Sequence, residues 1–212
     1  MDVRYGPDIP TDAELRLCGN VEGKRVLELG CKAQTAIAFA QQGAHAIGVD
    51  SNPDHLASFR RRAEEEEVKV ELHESDLADL AFVRADSVDL AFSSMAFDLV
   101  EDLNRVFRQV HRVLRQEAPL LFSVSHPAYA MIDDADIEVP LLIRRSYFEK
   151  DTGLFQRRTI SELFTGLIRA NFRVDTILEP SPIPAAPRSP EWRETFRSVP
   201  RTLIIRARKE GL

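Results

Sequence analysis

The residues with the most chemical content lie in one run, RVLELGCKAQTAIAFAQQGAHAIGVDSN, at positions 25–52. Gly30 ends a short apolar segment, and a residue without a side chain lets the backbone approach a ligand closely and adopt positive φ. An amphipathic stretch follows, and the first turn of a helix carries N–H groups with no partner inside that helix. Asp50 comes about 20 residues beyond the turn, where a carboxylate can accept hydrogen bonds from both hydroxyls of a ribose. A glycine turn, a helix start and a strand-terminal acid in this order point to a ribose-bearing cofactor.

Candidates for acid–base chemistry are fewer. Of five histidines, only His126 follows a strand at the carboxyl edge of the expected sheet, where ligands of open α/β folds bind. Its imidazole could remove a proton near neutral pH, or it could simply order the His126-Pro127 turn. Cys18 and Cys31 are the only cysteines, and no Cys/His cluster has the spacing of a metal site, so no metal is expected. Cys31 reads as filler in the turn, because Lys32 is the only cationic neighbour that could activate its thiol. Further along, Tyr129, Tyr147 and Phe148 could pack against an aromatic or isoprenoid-like molecule, while Arg144 and Arg145 could receive an acid group. The same aromatics could instead fill the core under a long insertion.

These residues need a frame. Apolar runs at 25–29, 45–49, 69–73, 88–92 and 120–125 alternate with helical stretches at 33–42, 53–66 and 102–114, the pattern of a parallel sheet with crossover helices. In the third stretch Leu103, Val106, Phe107, Val110 and Leu114 recur at helical spacing. Arg105, Arg108, Arg112 and Arg115 fall on its other face and read as a solvated surface. Glu64–Glu67 follow Arg60, Arg61 and Arg62 and read as weak surface ion pairs. Residues 126–158 lack a clear period. A helix at 159–170, a strand at 173–178, a proline-rich loop and a strand at 202–208 follow. No crossover helix separates these last two strands, so they are expected to pair antiparallel.

Length and composition suit one domain over 1–212, with an acceptor-side cap inserted at about 126–158. A net charge of -6 argues against a nucleic-acid partner, because phosphates are bound mainly by Lys and Arg. No apolar run approaches the roughly 20 residues that span a bilayer, and the start MDVRYGPDIP does not read as a signal peptide. The expectation is a cytoplasmic monomer or homodimer acting on a small molecule, without a membrane partner.

Four segments in order, LELGC, GVDSN, ESDLADLAF and SVDLAFSSMAFDLVEDLNRVFRQVHRVLR, resemble the successive motifs of class I methyltransferases, notably the ubiquinone and menaquinone type. The resemblance implies a Rossmann-like α/β fold: a mostly parallel seven-stranded sheet, helices on both faces and an antiparallel C-terminal strand pair. It also implies S-adenosylmethionine as cofactor and methyl transfer to a small-molecule acceptor by in-line displacement. By resemblance, Glu28 and the backbone of Gly30, Cys31 and Lys32 meet the methionine part, and Asp50 holds the ribose. Ser51 and Asn52 flank ribose and adenine; Ser75, Asp76 and Leu77 meet the adenine; Ser93 and Ser94 line the methionine side. Tyr129, Arg144, Tyr147 and Phe148 would line the acceptor pocket, with residues 5–17 as a lid and the proline-rich loop as a wall. Removing Asp50 is expected to weaken cofactor binding while leaving the fold intact.

The chain departs from the family at the turn, where it keeps one of the usual three glycines in Gly30-Cys31-Lys32-Ala33-Gln34. Either a residue has been lost, or Lys32, Ala33 and Gln34 form a different, competent turn. A non-catalytic scaffold on the same fold, and a nicotinamide-dependent oxidoreductase, are the rival functions.

Overall fold

Apolar runs covered by helices on both faces become buried parallel strands, and that is the fate of the runs beginning at Arg25, His45 and Leu90, while the run at Val70–Glu74 forms a partly exposed edge. The computed structural model describes residues 2–133, 141–150, 155–184 and 188–211. In order the elements are α1 (Asp12–Leu15), β1 (Arg25–Leu29), α2 (Thr35–Gln41), β2 (His45–Asp50), α3 (Pro53–Glu65), β3 (Val70–Glu74) and β4 (Leu90–Ser94). Then come α4 (Leu103–Val113), β5 (Pro119–Ser125), β6 (Ile132–Asp133), β7 (Leu142–Ile143), α5 (Ile160–Arg169), β8 (Phe172–Leu178) and β9 (Thr202–Lys209).

The main sheet has the order β3-β2-β1-β4-β5-β9-β8. Its first five strands run parallel, and β9 pairs antiparallel with both β5 and β8. The antiparallel end is thus as expected, with the last strand of the chain inserted between β5 and β8. The chain moves outward from β1 through β2 to β3, then returns to the other side of β1 for β4. That reversal opens a crevice beyond the carboxyl ends of β1 and β4, the place where open α/β sheets bind ligands.

Two apolar layers hold the sheet. On one face α4 and α5 bury Val106, Phe107, Val110, Leu163 and Leu167 against Leu27, Phe97 and Phe122. On the other, α2, α3 and the N-terminal segment bury Ile37, Phe39, Leu56 and Phe59 against Val26, Leu90 and Phe92. Each such side chain removed from water contributes about 1.5–3 kcal/mol. Helix starts are capped as their residue types favour. Asn52 accepts from Asp54 N–H (2.9 Å), Asp102 from Arg105 N–H (2.9 Å), and Thr159 forms a capping box with Glu162.

Four expectations need correction. The fourth strand starts at Leu90; Val88 makes only an isolated bridge with Leu114, because Asp89 turns to pair with Arg25. The helix expected at 33–42 is split: Cys31–Ala33 form a 3-10 turn, Gln34 is left-handed at φ 55°, and α2 starts at Thr35. Residues 126–158 carry a 3-10 turn, Tyr129–Met131, and the β6–β7 ribbon; positions 134–140 and 151–154 of the expected cap, and Pro187 of the proline-rich loop, lie outside the described residues. Residues 5–17 are no lid. Tyr5 is fully buried against Phe92 (5.7 Å between rings) and donates to Asp12, whose carboxylate also accepts from Leu17 N–H (2.7 Å) and Cys18 N–H (3.1 Å).

No helix among the described residues is long and apolar enough to cross a membrane.

Candidate functional site

At the β1–β4 crevice the backbone is held by carboxylates. Gly30 leaves β1 at φ 89°, and a Cβ placed on it would lie 2.2 Å from the Cβ of Ala96, in the 3-10 turn Ala96–Leu99 that follows β4. The glycine is therefore required by close approach of two loops as well as by its own φ. The turn is tied to β2 through Asp50: its Oδ2 accepts from Cys31 N–H (2.7 Å) and faces His55 Nδ1 (3.0 Å), while Oδ1 accepts from Asn52 N–H (2.8 Å). Glu28 lies beneath, wholly buried, its two oxygens accepting from Thr35 and Ala36 N–H at 2.8 Å each. A buried carboxylate on the first turn of a helix answers the orphan N–H groups there. Burial nonetheless pushes the Glu28 carboxyl up to about 7, the backbone donors and Thr35 opposing and nearby Asp50 adding to the rise.

The remaining expected cofactor residues separate into two groups. Ser51, Asn52, Asp76 and Lys32 are exposed, and Ser75, Leu77 and Ser94 are half-buried, around one rim at the ends of β1, β2, β3 and β4. Asp76 accepts from Ala78 N–H (2.6 Å) and Ser75 Oγ donates to the Asp79 carbonyl (3.0 Å), so both also shape their own loop. Ser93, by contrast, is sealed and donates to the Leu29 carbonyl (2.8 Å). Cys31 is buried too, and burial with Glu28 and Asp50 nearby pushes its thiol well above the usual range, as its reading as filler requires.

Beyond the same 3-10 turn lies a cavity of about 310 Å³ lined by Val124, Pro127, Tyr129, Phe155, Leu163 and Asp98, with the arginines 145, 157 and 158 at its side. Arg158 fastens the 155–158 strap to the turn by donating to the carbonyls of Phe97 (3.1 Å), Val100 and Glu101 (3.1 Å). Of the acceptor-side expectations, Tyr129 and Arg145 line this cavity. Arg144, Tyr147 and Phe148 do not: Arg144 is exposed, Tyr147 Oη accepts from Ile160 N–H (3.3 Å), and Phe148 is 77% exposed.

His126 is placed as a turn residue. Nδ1 accepts from Ala128 N–H (3.1 Å), which puts the proton on Nε2, and Nε2 donates to Glu179 (2.7 Å). Both ring nitrogens are occupied, so the geometry favours the ordering role over that of a base.

Two residues went unmarked in the sequence. His55, on the first turn of α3, braces Asp50; Asp98, in the MAFDL segment, lines the cavity. An acid just beyond the end of β4 at the switch point was the available signal for Asp98.

The donor set can be tested against a ribose-bearing cofactor. A carboxylate has about four lone-pair positions; Asp50 gives three to Cys31, Asn52 and His55, so Oδ1 has room for a hydroxyl at a strand end beside exposed Ser51 and Asp76. These residues fit the adenosine part. Glu28 and Ser93 fit a supporting role beneath the turn, since their polar atoms face protein.

Residues 26–117 match the family model of a methyltransferase domain. The chain is similar to an S-adenosylmethionine-dependent methyltransferase of Mesorhizobium loti of known structure: 28% identity, TM-score 0.73, covering 93% of this chain and 96% of that one. It is 31% identical over 102 residues to a ubiquinone biosynthesis O-methyltransferase of Hahella chejuensis, a match covering 48% of this chain but only 43% of the relative. An uncharacterized protein of Haemophilus influenzae is 23% identical, over 92% of this chain and 85% of its own length. Residues 26–117 thus carry the pattern of a methyltransferase domain, and the described residues have the Rossmann-like fold of class I methyltransferases. Solved structures with this fold include S-adenosylmethionine-dependent methyltransferases.

Proposed function

We propose that this protein transfers a methyl group from S-adenosylmethionine to a small-molecule acceptor held in the cavity beside the Ala96–Leu99 turn. The supporting observation is the shared turn: Ala96 presses on Gly30 at the cofactor edge, and Asp98, two residues on, lines the cavity. One short element thus spans the distance between the two ligands. The cofactor supplies a sulfonium methyl already activated for in-line displacement, so the protein has mainly to orient the acceptor and exclude water. Asp50 would hold the ribose, Ser51, Asn52, Ser75, Asp76 and Leu77 the adenosine rim, and Ser94 with the turn backbone at Gly30 and Lys32 the methionine side. Val124, Pro127, Tyr129 and Leu163 would keep water from the acceptor. The reading takes residues 1–212 as one domain, with the cap at about 126–158 on its acceptor side, and the protein as a cytoplasmic monomer or homodimer.

Titration calorimetry with S-adenosylhomocysteine, followed by transfer of labelled methyl from the cofactor to candidate acceptors, tests the proposal. Micromolar binding with transfer to some acceptor is expected; binding without transfer to any acceptor class would favour a scaffold, a reading that the sealed Glu28 and Ser93 keep open. Absence of binding with a full response to a nicotinamide cofactor would overturn the assignment.

A further inference from the structure

The cavity contains a carboxylate that is only half committed. Asp98 is nine-tenths buried, and its Oδ2 accepts from both Ser125 N–H (2.9 Å) and Ser125 Oγ–H (2.8 Å). Oδ1 has no hydrogen-bond partner among the described residues, yet it is absent from their sealed, unpartnered polar atoms, so it keeps access to the cavity that Asp98 lines. A buried carboxylate oxygen left without a donor is costly, which makes it a place for a ligand's hydrogen. Around it the walls are Val124, Pro127, Tyr129, Phe155 and Leu163, which suit an aromatic or aliphatic body. Arg158 lies close enough to offset the charge of Asp98, so a cationic ligand gains little there and a neutral hydrogen donor gains most.

We propose that Asp98 is the acceptor-recognition residue of this site, its Oδ1 accepting a hydrogen bond from a hydroxyl on an apolar body. The inference rests on the reading of the cavity as the methyl-acceptor pocket. It also gives Asp98 a chemical use: as the hydroxyl oxygen would bond to the methyl carbon and the sulfonium carbon–sulfur bond would break, its electron pair leaving with a neutral thioether, the hydroxyl proton would pass to Oδ1 and turn carboxylate into carboxyl. Burial raises the Asp98 carboxyl above its ordinary range, with the two Ser125 donors and the Arg158 guanidinium holding it back, so it holds such a proton better than an exposed aspartate. Once the carboxyl has returned that proton to solvent, a methylated product has no hydrogen to offer Oδ1, and the contact is lost.

The test compares para-butylphenol with para-butylanisole, which share a body and differ in the hydrogen. Calorimetry on the full chain should show the phenol binding about ten-fold more tightly, the size of one hydrogen bond to a charged group. In Asp98→Asn the amide oxygen can keep both Ser125 donors while the amide N–H faces the cavity, so the preference should vanish or invert. Lowering the pH should weaken the phenol alone, and only with Asp98 present, since Arg145, Arg157 and Arg158, the other charged groups lining the cavity, stay protonated. Equal binding of the two probes, a ratio unchanged in Asp98→Asn, or binding of neither probe would overturn the inference. Should Asp98→Asn fail to fold, Ala130→Phe, which fills the cavity from its rim, must abolish binding of both probes. Titration with S-adenosylhomocysteine alongside keeps the two readings apart: its loss with the phenol preference intact strikes the methyl-transfer reading, and the reverse strikes only the role of Asp98.

Discussion

The two sides of the Ala96–Leu99 turn use acidic residues in opposite ways. On the cofactor side Glu28, Asp50 and Asp76 each hold backbone N–H groups, and the carboxylates build the loop that a ligand would meet. On the acceptor side Asp98 gives one oxygen to Ser125 and leaves the other facing a cavity. The first arrangement makes folding and binding one problem, since removing an acid loosens the turn. The second separates them, because the oxygen that would bind is not the one that holds the chain.

The largest effect should come from the glycine where the sides touch. Gly30→Ala puts a Cβ into Ala96 at positive φ, and the combined strain and overlap should cost roughly 3–5 kcal/mol. For a chain of this size that lowers the melting temperature by roughly 10 °C. Adding Ala96→Gly should recover the steric part and leave the conformational part; a double-mutant cycle showing no coupling would mean the loops do not touch as described.

Asp50→Ala comes next and corrects an expectation. The sequence suggested lost cofactor affinity with an intact fold, but Asp50 also accepts from two backbone N–H groups. Affinity for S-adenosylhomocysteine should fall by about one to two decades, and stability by roughly 1–3 kcal/mol as well. Calorimetry and thermal melts on the same sample separate the two; an unchanged melt would return Asp50 to a pure binding role.

Glu28 gives a smaller effect with a definite sign. Its folded value of about 7 lies above the ordinary carboxylate range, so the folded state binds the proton more tightly than the unfolded chain. Stability contributed by the neutral carboxyl is therefore present at low pH and declines as pH rises towards 7. Glu28→Gln does not ionise, so its melting temperature relative to the parent should rise with pH between 5 and 7 and level off above. A constant difference across that range would show that Glu28 ionises freely in the fold.

Smallest of all should be Phe148→Ser. The side chain is 77% exposed and lines no part of the described cavity, so stability and probe binding should stay within about 0.5 kcal/mol of the parent. A larger loss of phenol binding would move the acceptor pocket toward the cap.

What the sequence determined by itself was whatever rests on neighbours along the chain. The apolar periods placed most of the strands and helices, the glycine turn and Asp50 located the switch point, and Asn52, Asp102 and Thr159 are cap residues at helix starts. These follow from spacing, because a helix or strand presents residues at fixed intervals whatever surrounds it. The tertiary structure decided which polar atoms are free. The sequence leaves His126 open between a base and a turn-former, and it is Ala128 and Glu179 on its two nitrogens that favour the turn; Tyr5, in the segment expected as a lid, is sealed against Phe92. Gln34 takes the left-handed conformation a glycine would normally supply, and its side chain bonds Ser58 on α3. Asp98 passed unnoticed among many acids. Its partners lie 27 positions along the chain at Ser125 and further away at Arg158, and only their arrangement in space leaves one oxygen open. Spacing along a chain specifies local geometry, whereas the availability of a lone pair depends on partners brought from elsewhere in the fold.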